Sequence, residues 1–167
     1  NLPSELDVIR EHKDELPDHL RDLLTQDRPL DFRPVEPWNP FSPEPAPPLR
    51  HTWVKAVGTL ADDPLHHQAV LAYASDYGIL GTALMPHGRT VRDRDVMAAT
   101  LDHSIWFHRP FRMDEWLLYA KDSPISSGGR GFSRGAFYTQ SGDLVASVAQ
   151  EGVLRVGRPG KQGNGRS

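Results

Sequence analysis

The sequence predicts an α+β fold in which an antiparallel sheet packs around one buried helix. Three observations lead there. A single long apolar segment, residues 64–84, carries the signals of a helix start. Four strand-like segments follow it in series, with no further helix between them. The last two are joined by Gln140-Ser141-Gly142-Asp143, a good hairpin turn signal.

Taken in order, residues 4–24 read as a surface helix. Ser4 is a candidate cap, and Leu6, Ile9, Leu16, Leu20, Leu23 and Leu24 recur at roughly helical spacing. Pro17 predicts a kink or two short helices. Eight of the fifteen prolines then lie between Pro29 and Pro48, a density that forbids helix and central strand and predicts an extended connection. Residues 31–36 form a short edge strand at most. Residues 1–50 are therefore expected to be a helix plus a Pro-rich interdomain linker, ahead of a compact domain at 51–156 that opens on a strand at 51–58. Asp63 is the expected N-cap of the helix, with Pro64 at its first position, where the missing N–H costs nothing. From Ala69 to Leu84 apolar residues occupy nearly every face, which predicts a helix buried all round. Residues 86–95 form a polar loop. The strands are expected at 97–109, 115–121, 130–140 and 143–156, and residues 157–167 as a disordered tail. A sheet of this kind exposes its edges, so association through edge strands is natural.

Against this pattern a few polar residues stand out. Asp76 lies inside the apolar helix, and an enclosed carboxylate is costly unless hydrogen-bonded, paired or protonated. In the last strand the even positions Leu144, Ala146, Val148, Gln150, Gly152 and Leu154 share the core face, so Gln150 points inward beside a glycine. In the strand from Met97, the odd positions form the apolar face apart from His103, and Thr100 lies on the opposite, more polar row.

The segments Leu71-Ala72-Tyr73-Ala74-Ser75-Asp76, Leu101-Asp102-His103-Ser104-Ile105-Trp106-Phe107-His108-Arg109-Pro110-Phe111, Glu115-Trp116-Leu117-Leu118-Tyr119 and Ala149-Gln150-Glu151-Gly152 closely resemble the type II acyl-CoA thioesterases of the TesB family. The resemblance covers about residues 31–155, with long motifs in the right order. It implies a hotdog fold, an antiparallel sheet wrapped around a central helix, and identifies this sequence with the second of two hotdog domains fused in one chain. It also implies a catalytic group of Asp76, Thr100 and Gln150 that positions a water to hydrolyse fatty acyl-CoA to a free fatty acid and coenzyme A, with no cofactor and no metal. Thr100 rests on the resemblance alone. Backbone N–H groups near the helix N-terminus, or at Gly78 and Gly81, are candidate oxyanion donors. The implied partners are an acyl-CoA substrate, the N-terminal hotdog domain or a second copy, and further copies in a homo-oligomer.

Other chemistries find less support. There is no cysteine, so disulfides, thiolate metal sites and a cysteine nucleophile are excluded. The net charge of −3 gives no reason to expect nucleic acid as partner. No apolar run is long enough to span a bilayer, no signal peptide opens the sequence, and the tail lacks a Ser-Lys-Leu ending, so a cytoplasmic location is expected. Asp102, His103 and Ser104 cannot form a relay with one another, because consecutive strand residues face alternate sides. His66, His67, His87 and His108 lack metal-ligand spacing with supporting carboxylates. Residues 126–131 are Gly-rich but lack the Lys-Ser/Thr of a phosphate loop. Arg109, Arg112, Arg130 and Arg134 are candidates for the phosphates of coenzyme A or for surface ion pairs. Trp106, Phe107, Phe111 and Trp116 are core, interface or acyl-channel aromatics. Two alternative functions remain: a non-catalytic assembly half of a double-hotdog protein, or another hotdog enzyme such as an enoyl-thioester hydratase. The latter usually wants an Asp–His pair, and no His follows Asp76 closely.

Overall fold

A computed structural model describes residues 2–16, 18–36 and 43–157. Its centre is a six-stranded, wholly antiparallel sheet built from β1 (Leu30–Pro34), β2 (Leu49–Ala56), β3 (Val96–Phe107), β4 (Leu117–Ser127), β5 (Arg130–Thr139) and β6 (Leu144–Val156). The strand order is β1-β2-β4-β5-β6-β3, so β1 and β3 are the two edges. All of the expected strands are present, with β4 running six residues past its expected end. Pro124 lies in that extension, where the β4–β5 register shifts between Asp122 and Ile125, a place where a missing N–H is tolerated. Gly128 and Gly129, both at positive φ, close the β4–β5 hairpin.

The N-terminal region forms α1 (Glu5–Glu11), a 3-10 turn (Lys13–Glu15) and α2 (Asp18–Thr25), two short helices in place of one. Ser4 caps α1 by accepting from the Asp7 N–H at 3.0 Å. Pro17, part of the Pro-rich connection (residues 37–42) and the expected tail beyond residue 157 lie outside the described residues.

The helix at residue 64 differs from its expectation in two ways. As expected, α3 (Pro64–Ser75) starts at Pro64, and the Asp63 carboxylate accepts from the Leu65 N–H at 3.0 Å. It stops at Ser75, not Leu84: Asp76 is its C-cap, and Gly78 follows at φ 70°, a conformation that costs glycine little. A separate 3-10 helix, Leu80–His87, continues the chain. Nor is α3 buried all round. His67, Leu71, Ala74 and Ser75 form one buried stripe, whereas Leu65 and Tyr73 are exposed.

Leu71 and Ala74 join Val54, Leu117, Tyr119, Phe137, Val145, Ala146 and Val148 in the main core, with Tyr119 stacked on Phe137 at 4.0 Å. The 3-10 helix makes a second cluster, packing Leu80, Ala83 and Leu84 against Leu154. Gly152 permits this approach: a Cβ there would lie 2.6 Å from both methyl carbons of Leu80. Among the described residues no helix is long and apolar enough to cross a membrane.

Candidate active site

Three elements converge at the Asp76 end of α3. The first is β6. Its alternation places Val148, Gln150, Gly152 and Leu154 inward, as the sequence predicts, and Gln150 is buried at 1% exposure. A fully buried amide must find partners for both its ends. Its Nε2 donates to Thr100 Oγ1 at 2.9 Å, and its Oε1 accepts from His103 Nδ1.

Both partners belong to β3, the second element, and a bulge makes this possible. Register against β6 pairs Thr100 with Gly152 and Asp102 with Glu151, which leaves Leu101 as the extra residue. The inward row therefore switches parity. Val96 and Ala98 pack on the 3-10 helix cluster before the bulge, and Ile105 packs on the main core after it. This corrects the expectation for β3: Met97 and Leu101 of the apolar odd row are exposed, and Thr100 shares a face with His103. The sequence carries no distinct signal of this, because both rows of β3 are apolar before residue 100.

The C-terminal end of α3 is the third element. Ser75 is fully buried, with Oγ 2.7 Å from His103 Nε2 and 2.7 Å from the Ala72 carbonyl. The Tyr119 hydroxyl donates to the Ser75 carbonyl at 2.6 Å. Burial, together with the charge of Asp76, pushes the Tyr119 phenol well above its usual range, so it stays a donor. Hydrogen bonds thus run from the helix end to both strands: Ser75, His103, Gln150, Thr100.

Asp76 itself is exposed, which overturns the expectation of an enclosed carboxylate. Its backbone N–H donates to the Ala74 carbonyl as the helix closes, and its carboxylate makes no hydrogen bond among the described residues. Thr100 and Gln150 are in direct contact, while Asp76 is tied to them through its neighbour Ser75 and His103. Sequence reasoning missed both Ser75 and His103 as parts of this network.

The remaining candidates lie elsewhere. Arg109 pairs with Asp143 (2.7 Å), Arg112 with Asp62 (2.8 Å) and Asp114 (3.0 Å), Arg130 with Glu151 (3.6 Å) and Arg134 with Asp122 (2.5 Å). His67 accepts from the Met113 N–H, and His108 Nε2 lies 2.9 Å from Ser147 Oγ. Phe111 and Trp116 line a cavity of about 510 Å³ with His67 and Leu117, at the opposite end of α3 from Asp76. Trp106 and Phe107 are exposed on β3.

Comparison with known proteins gives this arrangement its context. The family model described as acyl-CoA thioesterase matches residues 19–153. The chain belongs to the acyl-CoA thioesterase family. Within it, the chain is 39% identical over 140 residues to acyl-CoA thioesterase 2 of Haemophilus influenzae, covering 84% of this chain and 49% of that protein. It is 42% identical over 139 residues to human acyl-coenzyme A thioesterase 8, covering 82% and 43%. The chain thus spans about half the length of the curated relatives it matches. Among solved structures it resembles the acyl-CoA thioesterase II TesB2 of Mycobacterium marinum, with TM-score 0.66 and 39% identity over 86% of this chain and 53% of that one. A hot dog fold protein of Alicyclobacillus acidocaldarius, 16% identical, aligns with TM-score 0.56 over 78% and 47% and supports the fold alone. The architecture is a hotdog fold of the TesB type.

Proposed function

We propose that this chain is the C-terminal hotdog half of a two-domain acyl-CoA thioesterase, its sheet curled about α3 as the central helix, and that it carries a hydrolytic site for fatty acyl-CoA. The observation that carries the reading is the Gln150–Thr100 hydrogen bond, held beside the helix end that presents Asp76. In this mechanism Asp76 accepts a proton from a water, whose oxygen attacks the thioester carbonyl carbon. Thr100 and Gln150 orient that water. The tetrahedral intermediate collapses with cleavage of the C–S bond, the thiolate of coenzyme A takes up a proton, and a free fatty acid is left. The exposure of Asp76 suits this role, since a base for water must meet water and substrate.

The site lies beside β3, a sheet edge on which Met97, Leu101, Trp106 and Phe107 are exposed. Those apolar side chains favour a covering partner, either the preceding hotdog domain or a second copy, within a homo-oligomer. The four paired arginines are not assigned to coenzyme A. Because the chain spans half of its relatives, a second reading is an assembly half that is inactive without the first domain. Thiol release from acyl-CoAs of graded chain length, compared between this chain and one that includes a preceding domain, separates the two. Asp76→Asn is expected to retain the fold and to lower kcat by about 10²–10⁴. Turnover near wild type in that variant refutes the assignment, and release of no thiol by either chain refutes the thioesterase reading.

A further inference from the structure

We infer that His103 is a positioning residue: it selects one of the two orientations of the Gln150 amide, and so decides where the Thr100 hydroxyl proton points. The inference rests on the proposed hydrolytic site and deepens it. A primary amide placed between two hydrogen-bonding groups can be turned end for end at little steric cost, since its oxygen and nitrogen are nearly the same size. The two orientations differ chemically. With Oε1 toward His103, Nε2 donates to Thr100 Oγ1, and the threonine proton is left to donate to a water or an oxyanion. With the amide reversed, Oε1 accepts the Thr100 proton and the hydroxyl has nothing left to give.

A proton on His103 Nδ1 breaks this degeneracy. Nδ1 faces Gln150 Oε1, and Nε2 lies 2.7 Å from Ser75 Oγ. In the neutral ring with the proton on Nδ1, Nε2 accepts from the Ser75 hydroxyl, which then gives up its bond to the Ala72 carbonyl, and Nδ1 donates to the amide oxygen. In the protonated ring, Nε2 donates to Ser75 Oγ, whose own proton passes to the Ala72 carbonyl at 2.7 Å. Nδ1 donates to Gln150 in both of these states, so the amide keeps one orientation as long as Nδ1 carries the proton. Two features of the fold hold this geometry. The Leu101 bulge turns Thr100 and His103 to the same face, and Tyr119 fixes the Ser75 carbonyl from the other side. Ser75 and Gln150 are both buried, so water does not compete for these bonds.

The test uses three substitutions in the whole chain. His103→Asn keeps an N–H donor close to the Nδ1 position. His103→Asp is nearly isosteric with it but presents only an acceptor, which favours the reversed amide. His103→Leu removes the contact. His103→Asn is expected to hold kcat within about threefold of wild type, while Asp and Leu each lose about tenfold or more with KM little changed. Equal losses in all three, or a loss confined to KM, overturn the inference. Nitrogen-15 NMR of the wild-type ring is a second readout that needs no turnover: a proton resident on Nδ1 supports it, and a neutral ring protonated on Nε2 overturns it. Should neither this chain nor the one that includes a preceding domain hydrolyse a thioester, the proposed function fails while the ring tautomer still decides the role of His103.

Discussion

Lys121 offers a sharp test of the core electrostatics. It faces inward from β4 at 4% exposure, with its Nζ 4.7 Å from the centre of the Tyr119 ring. Burial, reinforced by the charge of Arg50 and opposed by Glu5 and Glu36, brings its pKa from 10.5 down to about 7. The unfolded chain therefore binds this proton across a range in which the native state does not. Stability is thus expected to rise with pH between about 7 and 10.5, and to be lost as pH falls through the folded pKa. The full difference of about 3.5 pH units, at 1.36 kcal/mol each, is about 5 kcal/mol. Between pH ~6 and pH ~9 roughly half of that difference is accessible. Lys121→Met keeps the stem volume and removes the charge. It is expected to be more stable than wild type at the acid end, with the advantage shrinking as pH rises. Urea midpoints for both proteins at several pH values measure this directly, because every other titrating group cancels in the difference. Parallel stability curves, or a variant less stable at pH ~6, would show that the amine finds a partner when charged and would refute the reasoning.

Two further outcomes follow from packing and capping. Gly152→Ala places a methyl against Leu80 and 3.0 Å from the Ala99 carbonyl, and is expected to cost about 1–3 kcal/mol in denaturant unfolding. Adding Leu80→Ala should recover part of that loss, giving a less-than-additive double-mutant cycle. Asp63→Ala removes the α3 cap and is expected to cost about 0.5–2 kcal/mol, whereas Asp63→Ser should recover most of it. An unchanged melting curve in Asp63→Ala would show that Pro64 alone sets the helix start.

By itself the sequence determined the order and type of the elements, because each carries its own local signal. Asp63-Pro64 starts a helix, Ser141-Gly142 turns a hairpin, and the even row of β6 buries Gln150 wherever the partner strands lie. The family motifs carried Asp76, Thr100 and Gln150 as candidates, and two of them already broke the apolar pattern. Tertiary structure alone decided three things. One is the end of α3 at Ser75, which depends on Gly78 entering the left-handed region so that Leu80, Ala83 and Leu84 can pack on Leu154. Another is the exposure of Asp76. The third is the Leu101 bulge, invisible to a period-2 reading because an edge strand may show apolar residues on its open face. The bulge shifts parity by one residue, which rotates Thr100 from the outer row to the face shared by His103 and Gln150. That rotation, set by pairing with β6, assembles the hydrogen-bonded site.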